Sequence, residues 1–382
     1  MKFDLVLYLQ KTKSMRPILF FLVLILSVNL EAQHHHRGND PIVFPDIPGY
    51  LSLKTDLHQH TVFSDGYVWP NIRVQEALRD GLDVISLTEH LEYQPHSEDI
   101  PHPDRNRSYQ LALQEAASHD LIIIHGSEIT RAAPMGHSNA IFIQDANPLL
   151  AKDSLTPFRE AKKQGAFVFW NHPAWYPQSS MGIPILSAFQ EERIANGALH
   201  GIEVINEKDY SEEALALALE KDLTIMGTSD IHGLITWDYE EKGHDRPITL
   251  VFAKERNTES LKEALFAGRT VAVYNNILVG KEEYLKPLLK ACISIEKSGY
   301  IGKTQILEVI LKNESSTELV FENMMPYTFY SNSPVFTVPA MGTTTLKIKT
   351  MERLPNITLK LKALKAITAP KTNAVVEWDV KG

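Results

Sequence analysis

Six of the fifteen histidines in this chain stand beside carboxylates or small polar residues in short runs. The runs are Asp56-Leu57-His58-Gln59-His60, Ser64-Asp65-Gly66, Thr88-Glu89-His90, Gly126-Ser127-Glu128, Gly136-His137-Ser138-Asn139, Trp170-Asn171-His172-Pro173 and Thr228-Ser229-Asp230-Ile231-His232. Imidazole with carboxylate suits zinc, manganese or iron, and one carboxylate can bridge two ions. Residues two apart on a strand point to the same side, so His58 and His60 can reach one ion, as can Asp230 and His232. His58, His60, Asp65, His90, Glu128, His137, His172, Asp230 and His232 together exceed what one ion needs and imply two or three divalent metals. The lone Cys292 excludes an intrachain disulfide framework, a cysteine-rich zinc ribbon and a CxxC redox pair.

These groups need a frame that brings distant segments to one place. Short apolar runs at Thr55–His60, Val84–Thr88, Leu121–Ile124, Ala140–Ile143, Ala166–Trp170, Gly201–Ile205 and Leu223–Gly227 read as buried parallel strands. Helix-like stretches lie between several of them, at Asn71–Asp80, Ser108–His119, Thr156–Gln164 and Ser211–Lys221. Pro70 marks one helix start, and Ser211 followed by Glu212 and Glu213 marks another. Repeated strand–helix alternation implies an α/β domain, a closed or distorted barrel, and in such folds functional groups collect at the C-terminal ends of strands. A strand at Ile248–Phe252 and a helix at Ser260–Ala267 complete this domain, expected over residues 53–275. From 276 to 382 the strands alternate with Pro, Gly and Asn as in a small all-β sandwich, and no histidine occurs there. The chemistry should therefore lie upstream, with the sandwich an accessory that can be removed.

At its other end, Lys11, Lys13 and Arg16 precede an apolar run from Ile18 to Leu26, and Ala32 offers a small residue for cleavage. This pattern reads as a signal peptide over 1–32, with 33–52 as a linker that includes His34-His35-His36. It implies export to the periplasm or beyond, with no stable membrane anchor after cleavage. Removing 1–32 takes away four basic and two acidic groups, so the formal charge falls from −9 to −11. That balance argues against long nucleic acid as a partner, which needs a basic excess, but allows a small phosphorylated substrate beside bound metals.

Taken in order, the motifs HxH, SDG, EH, E, GH, NHP and SD-H resemble the PHP family, named for polymerase and histidinol phosphatase. The resemblance spans about Leu53 to Val273, and seven motifs in order are far more specific than a lone HxH. It implies a distorted (β/α)7 barrel holding up to three metals. By analogy one ion would take His58, His60, Glu128 and Asp230. A second would share Glu128 and add His137 and His172, and a third would take Asp65, His90 and His232. Some members carry histidine where this chain has Asp65; an acid there resembles the family's small-molecule phosphoesterases. The implied reaction is attack of a metal-bound hydroxide on a small phosphomonoester or phosphodiester, of the nucleotide or sugar phosphate class.

Further roles stay open at this point. His172 or His232 could return a proton to the leaving alcohol, although a ligand imidazole is a poor free acid. Arg131 is either a phosphate clamp or an ordinary ion-paired arginine. Trp175 and Tyr176 either line the pocket or pack elsewhere. Glu203, an acid inside an apolar strand, needs a partner and reads as structural or supporting rather than ligating. A metal-dependent amidase or other hydrolase fits the same residues, as does an idle envelope-binding module, although the intact ligand set argues against the latter.

Overall fold

The computed structural model describes residues 41–382, and the expected signal segment with the first part of the linker, 33–40, lies outside the described residues. Strand β1 (Leu51–Asp56) is followed by helix α1 (Pro70–Arg79), β2 (Val84–Leu87), α2 (Arg107–Ala116), β3 (Ile122–Ile129) and β4 (Ser138–Ile141). Then come α3 (Thr156–Lys163), β5 (Phe167–Trp170), α4 (Ala188–Ala195), β6 (Gly201–Asn206), α5 (Glu212–Glu220) and β7 (Thr224–Thr228). Local chemistry places the helix starts as expected. Pro70 opens α1, where its missing N–H is harmless, and the Ser211 hydroxyl accepts from Ala214 N at 3.1 Å ahead of two acids.

Strands β1, β2 and β3 pair in parallel, as do β5, β6 and β7. The expectation of uniformly parallel strands fails at β4, which runs antiparallel to both β3 and β5. Residues 130–137 join β3 to β4 without a helix, and so short a link can only reverse the chain, since a parallel return needs a crossover. The reversal decides how the site is assembled, because it brings the N-terminal end of β4 to the edge where its neighbours end. Strands β8 (Ile248–Ala253), β9 (Thr270–Tyr274) and β10 (Ile277–Gly280) are likewise antiparallel, β8 pairing with β1; helix α6 (Thr258–Phe266) joins β8 to β9.

The barrel closes at the site edge. Beyond Asp56 the chain stays extended and meets the segment after β7, with Gln59 bridged to Ile231 in parallel and His60 N donating to Ile231 O at 3.0 Å. On the opposite stretch of β7, threonine side chains do the joining: Thr249 Oγ1 donates to Gly227 O at 2.7 Å and Thr270 Oγ1 to Ile225 O at 2.7 Å.

Helix α7 (Glu282–Cys292) leads into β11 (Ile293–Tyr300), β12 (Ile306–Asn313), β13 (Leu319–Asn323), β14 (Val335–Val338), β15 (Thr343–Lys349), β16 (Asn356–Ala369) and β17 (Thr372–Lys381). Along β12 buried and half-exposed residues alternate, the pattern of a sheet with one face on a core. One sheet of the sandwich holds β11, β12 and β15; the other, with β13, β14, β16 and β17, continues into the barrel sheet through Leu278 of β10 against Ala366 of β16. A single apolar cluster runs from Val74 and Leu250 in the barrel to Phe321 and Leu361 in the sandwich. The expected boundary near residue 275 therefore falls in the tight turn between β9 and β10, inside a hairpin that the two parts share. An easily removable accessory does not fit this arrangement.

Candidate metal centre

All nine residues expected as ligands meet at the edge where β1, β2, β3, β5 and β7 end. They form four overlapping groups: His58 with His60 and Asp230; His58 with Glu128 and His172; His90 with Glu128 and His137; and His60 with Asp65, His90 and His232. His58 and His60 follow β1, Glu128 lies near the end of β3, and His172 and Asp230 sit just past β5 and β7. His137 arrives differently. It precedes the reversed strand β4, and its carbonyl accepts from Asn171 N at 3.1 Å, which ties the β4 entrance to the β5 exit. Compared with the division that the resemblance implies, His90 reaches Glu128 as well as Asp65, and His60 faces both ends of the cluster.

The distances are those of groups converging on cations. His58 Nε2 and His60 Nε2 lie 3.1 Å apart, and each faces Asp230 Oδ1, at 3.0 and 3.1 Å. Glu128 Oε2 is 3.5 and 3.4 Å from the same two nitrogens and 3.0 Å from His90 Nδ1. Its Oε1 lies 2.9 Å from His137 Nδ1 and 3.6 Å from His172 Nε2. Asp65 closes the far end, 3.2 Å from His232 Nε2 and 3.5 Å from His90 Nε2. The ring of His60 stacks on both His90 and His232, with centroids 4.6 and 4.4 Å away. Glu128 Oε2, Asp230 Oδ1 and Asp65 Oδ1 are buried without a well-formed hydrogen bond. Buried anionic oxygens without donors are costly, and divalent ions would satisfy them. The donor set fits such ions.

The electrostatics point the same way. Burial lowers the pKa of His58, but Asp230, Glu203 and Glu128 outweigh it and hold the imidazole well above its ordinary value. Burial is likewise outweighed at His90, by Glu128 and Asp65, raising it to about 11, and at His232, by Asp65 and Asp230, raising it to about 9. His60 goes the other way: burial and the neighbouring His232 and His90 push it down to about 3. Burial would raise Glu128 and Asp230, yet the surrounding imidazoles hold both carboxyls well below their usual range. Without metal, protons on some imidazoles balance the carboxylates; a divalent cation takes over that task and displaces them.

A buried polar girdle carries the ligands. Asp230 N donates to His58 O at 3.0 Å, joining the two sides of the barrel seam. Arg73, buried in α1, donates to His60 O, Ile231 O and His232 O at 3.0–3.2 Å. Asp56 accepts from Arg246 and from the Ser229 hydroxyl, at 2.8 and 2.6 Å, and so anchors both ligand segments from below. Glu89, whose pKa burial raises, accepts from Thr61 and Ser64, and the Ser64 hydroxyl lies 3.2 Å from His60 Nδ1. Nothing in the run Thr88-Glu89-His90 separates this supporting acid from a ligand; only its turn toward Thr61 does. His172 and Asp230 adopt positive φ, 30° and 49°, a strained backbone that occurs at functional sites.

Other residues divide between the rim of the site and its surroundings. Arg131 is taken up by Glu92 and by the carbonyls of Thr130 and Ala151, which leaves the ion-paired alternative rather than the phosphate clamp. Trp175 is half-exposed and its ring meets those of His137 and His172, at 5.7 and 5.1 Å. Tyr93, which no motif marked, sits half-exposed against His90 at 6.1 Å. His125 stacks on Tyr109 of α2, 4.2 Å between centroids, so its ring faces the helices.

A family model described as an Ig-like domain matches residues 293–379. No curated protein matches the chain. Among solved structures, a two-domain protein containing a predicted PHP-like metal-dependent phosphoesterase, from Bacteroides vulgatus, is 39% identical. The alignment covers 91% of this chain and 99% of that one, with a TM-score of 0.83. A candidate metal-dependent phosphoesterase from Bifidobacterium adolescentis is 18% identical over 48% of this chain and 90% of its own, TM-score 0.37. An amidohydrolase from Chromobacterium violaceum is 17% identical over 47% and 87%, TM-score 0.34. The last two likenesses are too slight to carry argument; the first extends over barrel and sandwich together. With its histidines and carboxylates assembled at one barrel edge and an Ig-like domain following, the chain belongs to the family of PHP-like metal-dependent phosphoesterases.

Proposed function

We propose that this centre hydrolyses a small phosphomonoester or phosphodiester, of the nucleotide or sugar phosphate class, using two or three ions of zinc, manganese or iron. The observation that carries the reading is the sharing of Glu128 and His60 between groups, which suits adjacent ions rather than one. His58, His60, Glu128 and Asp230 would hold one ion; Glu128, shared, with His137 and His172 a second; Asp65, His90 and His232 a third. When bound, such ions supply an acidified water and a positive clamp on phosphoryl oxygens. The protein's part is to hold the ligands rigid and to meet the organic half of the ester. Half-exposed Trp175 and Tyr93, against three of the ligand rings, offer that half an aromatic surface. Of the two histidines considered for returning a proton, His232 is the more open, its side chain 31% exposed against 10% for His172.

The acidic charge supports a small substrate over long nucleic acid. Export is proposed from the basic flank and apolar run that open the chain; among the described residues no helix is long and apolar enough to cross a membrane. The test is metal analysis of the purified protein together with a panel of monoesters, diesters and amides. At least two ions per chain and preferred turnover of a phosphoester are expected, with Asp230→Ala abolishing that turnover. One ion or none, preference for amides, or an active Asp230→Ala protein would each defeat the reading.

A further inference from the structure

Strand β6 contributes no ligand to any of the four groups, although its parallel neighbours β5 and β7 lead to His172 and Asp230. What it contributes is Glu203, whose side chain is fully buried. A carboxylate has room for about four hydrogen bonds, and four donors surround this one. Oε1 takes His58 Nδ1 at 2.7 Å and the Thr228 hydroxyl at 2.6 Å; Oε2 takes His172 N at 2.6 Å and Asn206 Nδ2 at 2.9 Å. Asn206 Nδ2 also lies 3.3 Å from Asp230 Oδ2. The pairing of β6 with β7 shifts register between Glu203 and Ile205, an irregularity of the kind found beside active sites.

We infer that Glu203 is the positioning residue of the metal centre, setting His58, His172 and Asp230 together from a strand that binds no ion itself. The inference rests on the metal-centre reading above and names the group on which its geometry depends. By accepting from His58 Nδ1, Glu203 selects the tautomer whose Nε2 lone pair faces His60 Nε2 and Asp230. By accepting from His172 N, it supports a backbone at φ 30° that no regular element would hold. Through Asn206 it reaches the third ligand, so ligands following β1, β5 and β7 answer to one carboxylate. Glutamine is a close match in size but turns an NH2 toward donors, so E203Q cannot satisfy all four partners.

The experiment uses the full chain stripped of metal and titrated with zinc or manganese alone against a competing chelator. E203Q should bind about 10- to 100-fold more weakly than the wild type, the range expected when the partner of a metal-ligating histidine is lost. It should also lose the downfield NMR resonance of a hydrogen-bonded His58 Nδ1–H. A purely structural role would lower the melting temperature of the metal-free protein and leave affinity unchanged, and that result overturns the inference. Asn206→Ala cuts only the arm to Asp230 and should weaken binding by a smaller factor; should E203Q fail to fold, an Asn206→Ala protein with wild-type affinity overturns the inference as well. A wild type that binds neither metal defeats the metal-centre reading itself, a result distinct from equal binding by wild type and E203Q.

Discussion

Barrel and sandwich bury different chemistry. At the barrel edge the buried residues include His58, His60, Glu89, Glu128, Glu203 and Asp230, whereas the buried set beyond residue 276 is mainly apolar, from Leu307 and Phe321 to Val380, with a few Asn, Ser and Thr and no Asp, Glu, Lys, Arg or His. Burying ionisable groups is unfavourable unless they are paired, and even paired they give up solvation that apolar packing does not. The site is thus assembled against its own stability, while the sandwich extends the apolar cluster that reaches back under β8, β9 and α1. One region is arranged to hold ions and the other to keep the first in place.

The sharpest way to break this comparison is to cut the chain. A protein ended after Asn275 loses β10, α7 and the sandwich, and uncovers Val271, Val273 and Leu250 of the shared cluster. It should be insoluble or melt without a cooperative transition; a soluble fragment with a sharp melt would show that the barrel needs no such support. A milder probe is Phe321→Ala, which removes a fully buried ring packed against Phe336 and Trp378. It should cost about 3–5 kcal/mol by denaturant melting. Metal content and turnover of the protein that remains folded should be unchanged.

The smallest effect is one of pH. In the metal-free protein His232 and His90 are raised to about 9 and about 11 by their carboxylates. Groups raised in the folded state stabilise it fully below the ordinary histidine value near 6.5 and lose that contribution as pH climbs through the folded values. Stripped protein should therefore melt a few degrees lower at pH 9.5 than at pH 7. The metal-loaded protein should not, because the ion already requires neutral imidazole. With no histidine between 276 and 382, Phe321→Ala should shift both curves without altering their slopes; a changed slope would mean the two regions are electrostatically linked.

Much of the site was legible because ligands need particular residue types at particular strand ends. His58 and His60 close one apolar run and His172, Asp230 and His232 follow others, and that local pattern puts them at strand ends. His137 was found by its motif, ahead of the run Ala140–Ile143, but the direction of that strand was not: it runs antiparallel, and strand direction depends on partners far along the chain. Asp56 carried no readable role until Arg246, remote in sequence, met it at 2.8 Å. Glu203 did carry a signal, a lone acid in an apolar strand, though not the identity of its four donors. Arg131 shows the reverse case: the sequence left a phosphate clamp and an ion pair equally open, and Glu92 takes up the guanidinium.

By itself the sequence determined the candidate ligand set, the alternating α/β frame and the all-β texture of the last third, since all three are set by residue type and short-range periodicity. The tertiary structure alone decided which carboxylates turn into the histidine cluster and which support it from outside, which way β4 runs, and that the sandwich shares the barrel's sheet. Those outcomes depend on where buried charges and strand edges find partners, and such partners are chosen across the fold rather than along the chain.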